Sequence, residues 1–149
     1  MGKMYLIEGE EKYVTLSGVI VRGFRIDVGA QGISEDETMV FKKGDIILGF
    51  RVVVTEAVAS GGGASVTLGF TGKKMISAAL AKATLVLGYV FGPDIANNLA
   101  QSYTLIADDG FDSKVITTAL TDGKFEIEVA YIPAPDGNLD SNIIEYVTA

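Results

Sequence analysis

The chain has 149 residues, of which 48% are hydrophobic and 21% are charged, and its formal net charge is −7. This length and hydrophobic content predict one globular domain over residues 1–149. The chain contains no histidine and no cysteine. These absences exclude thiolate metal sites, cysteine nucleophiles and hydrolases that need a histidine base. Because an acidic surface repels phosphates, we expect no nucleic-acid partner.

The apolar runs and the N-terminal residues carry no targeting motif. No uninterrupted apolar run is long enough to span a bilayer, so we expect no membrane partner. Residues Met1–Leu6 lead into an acidic stretch at Glu8 and Glu10. A signal peptide has a basic start and an apolar centre, which this segment lacks.

The chain begins with two predicted strands joined by a short turn. Residues 4–8 and 12–16 are expected to pair as a hairpin around Gly9–Glu11. The next predicted strand covers residues 18–28, and its apolar residues change phase near Gly23. A glycine at such a change predicts a β-bulge.

The middle of the chain has the clearest period of two. Apolar residues alternate along 46–54 and 64–70, which predicts two strands, the first of them central and covered on both sides. Lys43–Asp45 supplies a turn before the first strand, and Ser60–Gly63 is expected to join the two as a hairpin tip. Apolar residues at helical spacing within 73–83 predict about two helical turns.

The last third of the chain returns to strands. Apolar and charged residues alternate along Phe125–Tyr131, and Asp122-Gly123 before them is typical of a two-residue hairpin turn. Further predicted strands cover residues 38–41, 84–91, 103–107, 114–120 and 143–148. About ten short strands predict an all-β fold: a single antiparallel β-sandwich, preferably a jelly roll, with at most one or two short helices.

Three side chains near the C-terminus have the spacing of a calcium loop. Asp136, Asn138 and Asp140 stand at alternate positions, as the first oxygen ligands of such a loop do. The closing glutamate is missing, because the twelfth position is Val147. We therefore expect an incidental polar loop, with a calcium site as the alternative, and we predict no other metal site and no cofactor.

Two other groups of carboxylates are interpreted as surface charge. Asp108, Asp109 and Asp112 are expected to form a solvated turn rather than a metal site. Glu126 and Glu128 share one face of a strand whose other face is apolar. Because the apolar face is the buried one, this pair is expected in solvent or at a subunit contact. Glycoside hydrolysis is therefore not expected, since it needs one carboxyl group to be partly buried. No catalytic residue is predicted.

Two segments resemble known proteins. Residues 42–70 read KKGDIILGFRVVVTEAVASGGGASVTLGF, and residues 123–131 read GKFEIEVAY. Their order resembles a pattern common in structural proteins of tailed phages and prophages. In that pattern a strand leads through a glycine–serine tip to a second strand, and a later strand closes the domain. Such proteins are similar to jelly-roll capsid decoration (cement) proteins and other small virion components. The resemblance implies a non-enzymatic protein that binds and stabilises the phage head.

The segments outside the best-patterned core are predicted to be arms, at residues 1–17 and 133–149. Their apolar residues are candidate subunit contacts: Leu6, Ile7, Ile143, Ile144 and Tyr146. We expect a homo-oligomer, preferably a trimer, because closed symmetry leaves few exposed strand edges. The partner implied by the resemblance is the phage major capsid protein, in a virion that is assembled in the host cytoplasm.

Other functions stay open at this point. Within the virion, the alternatives are a head fibre base, a tail component or a baseplate component. Outside it, the alternative is a stand-alone carbohydrate-binding or ligand-binding β-sandwich, although the chain lacks the tryptophan that favours a carbohydrate platform. An enzyme would need a deep pocket with convergent carboxylates.

Overall fold

The computed structural model describes the backbone of residues 2–5 and 11–14 and the whole of residues 18–70, 75–94 and 102–134. Within these ranges every regular element is a β-strand, and the strands form two antiparallel sheets. The predicted all-β sandwich is therefore confirmed, while the jelly-roll version of it stays a prediction.

The larger sheet contains seven strands. In pairing order they are β1 (Gly2–Tyr5), β2 (Glu11–Val14), β3 (Ile20–Asp27), β12 (Leu120–Ile132), β5 (Ile46–Ser60) and β10 (Tyr103–Thr104), and β9 (Val90–Phe91) also pairs with β5. The smaller sheet contains β4 (Glu35–Phe41), β11 (Asp109–Ile116), β6 (Ser65–Phe70) and β7 (Met75–Ile76), and β8 (Leu80–Ala81) also pairs with β6. The longest strands, β5 and β12, are neighbours in the larger sheet.

Alternation places one face of each long strand in the core. Strand β12 buries Phe125, Ile127 and Val129, while the residues between them point outward. Strand β6 likewise buries Val66 and Leu68. Apolar residues therefore recur at every second position of these strands because every second side chain faces the core of the sandwich.

A group of phenylalanines joins the two sheets. The Phe111 ring of β11 meets the rings of Phe24, Phe50 and Phe70 edge to face, with centroids 5.7, 5.0 and 5.7 Å away. Phe24 and Phe50 belong to the larger sheet, whereas Phe70 and Phe111 belong to the smaller one. Phe111 is fully buried at the centre of this cluster.

The predicted apolar stripe along β5 is wrong at its start. Gly49 pairs with Ala130 and Ile47 pairs with Tyr131, so Leu48 has no opposite residue in β12. This bulge shifts the inward face by one residue and buries Ile47 in place of its neighbours. Strand β5 is paired along both edges, as predicted for a central strand, but its outer face is open because Arg51 is exposed.

The helix predicted within residues 73–83 is wrong. The described residues of this range contain β7 and β8, and both pair with β6. The Ser77 amide donates a hydrogen bond to the Leu68 carbonyl at 2.8 Å, and the Ser77 hydroxyl accepts one from the Leu68 amide at 3.0 Å. Pairing with the edge of β6 therefore overrides the helical spacing, which is a weak local preference.

The bulge predicted at Gly23 is also wrong. Strand β3 pairs with β12 in unbroken register from Ile20 to Asp27. The apparent change of phase arises because Arg22 occupies an inward position. Its guanidinium donates a hydrogen bond to the Val40 carbonyl at 2.8 Å and lies 4.8 Å from the centre of the Phe41 ring. A long side chain can cover apolar surface in this way while its charged end reaches the edge.

Two predicted hairpin turns have other roles. Asp122-Gly123 lies inside β12, where the register shifts and Gly123 has φ +150°. Ser60–Gly63 connects β5 in the larger sheet to β6 in the smaller one, so it crosses between sheets. The turn at Lys43–Asp45 is confirmed, and so is the antiparallel pairing of the first two strands, although Tyr5 pairs with Glu11 and both strands lie earlier than predicted.

Candidate interaction surface

The predicted contact residues and the predicted calcium ligands all lie outside the described residues: Leu6, Ile7, Asp136, Asn138, Asp140, Ile143, Ile144 and Tyr146. Their roles stay predictions. Among the residues that are described, no three His, Cys, Asp or Glu side chains are placed to hold a metal ion. The described part of the chain also has no helix that could cross a membrane.

The acidic residues at 108–112 do not form the predicted solvated turn. Asp109 and Asp112 belong to β11, and Asp112 is buried because β11 pairs with both β4 and β6. Asp108, which is exposed, accepts a hydrogen bond from the Lys43 amide at 2.8 Å. These carboxylates therefore serve the fold where the strand begins.

Glu126 and Glu128 lie on the outer face of the larger sheet, as predicted. The register places Arg25 opposite Glu126. Arg51 Nη2 lies 3.0 Å from Glu128 Oε1. Exposed ion pairs of this kind contribute little stability and give neither carboxyl group the buried setting that acid catalysis needs.

An open cleft of about 490 Å³ lies beside the register shifts of β12 and is lined by several carboxylates. Each carboxylate has a nearby partner. Asp27 accepts a hydrogen bond from the Gly29 amide at 2.9 Å, and Glu56 lies 3.4 Å from the ammonium group of Lys124. The cleft therefore resembles a solvated end of the sandwich more than a reaction pocket.

A buried carboxylate, Asp45, ties the start of β5 to the end of β12. Its Oδ2 accepts a hydrogen bond from the Lys42 amide at 3.0 Å, and its Oδ1 accepts one from the Ala134 amide at 2.9 Å. The backbone carbonyl of Asp45 accepts a third hydrogen bond, from the Leu105 amide, at 2.9 Å. Asp45 thus fixes Ala134, the residue directly before segment 135–149. Sequence reasoning recognised only the turn and missed this role.

Replacing Asp45 with alanine should lower the free energy of unfolding by about 2–4 kcal/mol, because two backbone amides lose their acceptor. Asp45→Asn keeps one acceptor oxygen and should lose roughly half as much. Urea denaturation measures both effects. The matched control is Asp36→Ala on exposed β4, which should change stability by less than about 0.5 kcal/mol. Equal midpoints for Asp45→Ala and wild type would contradict this role.

The most distinctive surface is the edge formed by residues 83–94 and 102–107, which we call the charge-poor edge. Asp94 is the one charged residue in these two ranges, whereas the chain as a whole has 21% charged residues. The two ranges contain β9 and β10. Both strands pair with the same edge of β5, Val90 opposite Val53 and Tyr103 opposite Ile47.

This edge exposes large apolar side chains. Of the eight that are exposed among the described residues, four lie here: Val86 (52%), Leu87 (71%), Val90 (50%) and Ile106 (74%). Scattered apolar residues are normal on protein surfaces, but a group within a region nearly free of charge is typical of a contact surface.

Backbone hydrogen bonds hold the tip of this edge in place. The Tyr89 amide donates to the Val86 carbonyl at 3.0 Å, which closes a tight turn with Gly88 at φ +84°. The Gly88 amide and the Tyr89 carbonyl both bond to Val54 of β5, at 2.8 and 2.9 Å. Leu87 therefore projects into solvent from a fixed turn.

This surface is not predicted from the sequence. The pattern of residues 84–91 predicts one strand, of which only Val90–Phe91 is a strand. The clue that was available is the absence of charge between Lys82 and Asp94 and again between Asp94 and Asp108.

No family model matches the sequence, and no curated protein matches it. Among solved structures, the chain is similar to a chain in the acidic stable capsid structure of Helicobacter pylori bacteriophage KHP30, with a TM-score of 0.51 and 12% identity over 82% of this chain and 91% of that chain. It is also similar to a chain in the capsid of Ralstonia phage GP4, with a TM-score of 0.46 and 15% identity over 78% of this chain and 86% of that one. At such identity the first likeness shows a shared fold.

Proposed function

We propose that this protein is a non-enzymatic structural component of a phage virion, and specifically a capsid decoration protein that binds and stabilises the head. The observation that carries the proposal is the fold shared with a chain of the KHP30 capsid structure over 82% of this chain. The strand patterns of residues 42–70 and 123–131 support the same function independently, because they were recognised from sequence.

Physical features of the described residues agree with this function. The aromatic cluster around Phe111 makes a core that spans both sheets. The net charge of −7 favours solubility before assembly. The charge-poor edge supplies an apolar contact surface, and the hydrogen bond from Ala134 to Asp45 gives segment 135–149 a fixed origin. We propose the arms, 1–17 and 133–149, as further contacts with the head.

Co-sedimentation with phage heads tests this function. Heads assembled from the major capsid protein of the same virus should bind the purified chain to a saturating ratio and should then disassemble at a higher temperature. A chain ending at residue 134 keeps every described strand and should bind more weakly, because it lacks the proposed C-terminal contact. Circular dichroism and thermal melting should show that this shortened chain is folded.

Failure to bind heads at saturating concentrations would contradict decoration. Binding to tails or baseplates in the same assay would assign the protein to another part of the virion. Full head binding by a chain that lacks both residues 1–17 and 135–149 would remove the arms from the proposal and leave the head contact to the sandwich.

A further inference from the structure

We infer that the charge-poor edge is the face through which copies of this chain associate with one another. The inference deepens the proposed function. It rests on that function, because it takes the protein to be a component of an assembled shell. It differs from the predicted arms because it assigns the contact to residues of the sandwich itself, chiefly Leu87 and Val90.

The distribution of charge favours this edge as the contact between two copies of the chain. A second copy also carries a net charge of −7, so two copies repel each other wherever their acidic faces meet. Strand β4 presents such a face, with Glu35, Asp36 and Glu37 all exposed. The charge-poor edge carries one charged residue, Asp94, so repulsion between copies is weaker there than at β4. A basic partner would instead be attracted to the acidic faces.

The dimensions of the edge suit an interface. Val90 lies opposite Val53 and Thr104 lies opposite Ile46, seven residues apart along β5. At a rise of about 3.3 Å per residue, these positions are roughly 23 Å apart. A stable protein contact covers about 800 Å² on each partner, which is a patch of roughly this width.

The turn at Leu87 is arranged as an anchor. Hydrogen bonds to both backbone groups of Val54 fix it, so little conformational entropy remains to be lost on binding. Leu87 and Val90 are exposed and carry no charge, which agrees with the depletion of charged residues at the centre of protein interfaces.

Sedimentation of a charge-bearing variant tests the inference. Wild type should sediment as an oligomer, and Leu87→Asp/Val90→Asp should sediment as a monomer, with a dissociation constant raised at least about 30-fold. The matched control is Ile33→Asp, which is 64% exposed in the turn before β4 and lies outside the edge. This control should keep the wild-type mass. Both substitutions are at exposed positions, so circular dichroism should be unchanged.

The outcomes separate this inference from the proposed function. A monomeric wild type, or a folded double variant with the mass of wild type, overturns the inference whether or not heads are bound. A double variant that stays oligomeric but loses head binding also overturns it, and assigns the edge to the head. If the double variant dissociates but wild type does not bind heads, the edge remains a contact between copies and the proposed function is contradicted. If the double variant unfolds, Leu87→Asn replaces it with the same expected direction.

Discussion

Replacing Phe111 with alanine should lower the free energy of unfolding by about 3–5 kcal/mol, as expected for truncation of a fully buried aromatic side chain. The ring is fully buried and contacts three other rings edge to face. Its loss leaves a cavity between the two sheets that neither sheet can close, because the surrounding strands are held by hydrogen bonds. Such edge-to-face contacts also add about 0.5–1.5 kcal/mol each beyond the buried area.

Urea or guanidinium denaturation, followed by far-UV circular dichroism, measures this loss. The control is Ile116→Ala on the same strand, β11, where the side chain is partly exposed and should cost less than about 1 kcal/mol. Similar losses for the two variants would mean that the aromatic cluster does not hold the sheets together.

Replacing Gly69 with alanine should cost roughly 3 kcal/mol, although only one methyl group is added. Gly69 has φ +136°, a backbone conformation that other residues adopt at a cost of about 1–3 kcal/mol. An added Cβ would lie 2.6 Å from the Met75 carbonyl oxygen and 2.7 Å from the Ile76 Cα. Both are backbone atoms of β7, so β7 would have to move away from β6.

Gly49→Ala is the matched control, since Gly49 also lies in a long strand but has no atom within 4 Å of the added Cβ. It should leave stability unchanged or raise it by up to about 1 kcal/mol, because alanine restricts the unfolded chain. Thermal unfolding of both variants distinguishes the cases. Equal melting temperatures for the two would show that β7 does not approach Gly69 closely.

The long strands could be predicted because one face of each strand is buried, so apolar residues recur at every second position of the sequence. Phe125, Ile127 and Val129 of β12 are an example. That period reports which face is buried but not which strand lies alongside. The sequence therefore predicts a hairpin turn at Asp122-Gly123, although the neighbours of β12 are β3 and β5 and not the preceding strand β11.

Local preference failed where pairing to a sheet edge decided the structure. The helical spacing within residues 73–83 was overridden by the edge of β6, which pairs with β7 and β8. Arg22 lies at an inward position of β3, and its charge gives the apolar pattern of that strand the appearance of a change of phase. Neither outcome can be read from a segment considered alone.

The candidate surface was predictable only in part. Its low charge is visible in the sequence, but the pairing that brings β9 and β10 onto one edge of β5 is not. The exposure of Leu87 depends on a turn that is closed by Val86 and Tyr89 and fixed to Val54. Only the three-dimensional arrangement converts a run of apolar residues into a surface.

The position of β12 has a consequence for synthesis on the ribosome. This strand lies between β3 and β5, yet it is the last described strand in chain order. Until Leu120–Ile132 has emerged, β3 and β5 each have an unpaired edge, and Phe24 and Phe50 lack part of their cover. The larger sheet must therefore close after translation of nearly all the described residues, by contacts between distant parts of the chain, which form slowly. During this interval the nascent protein depends on its negative charge to avoid pairing with its neighbours.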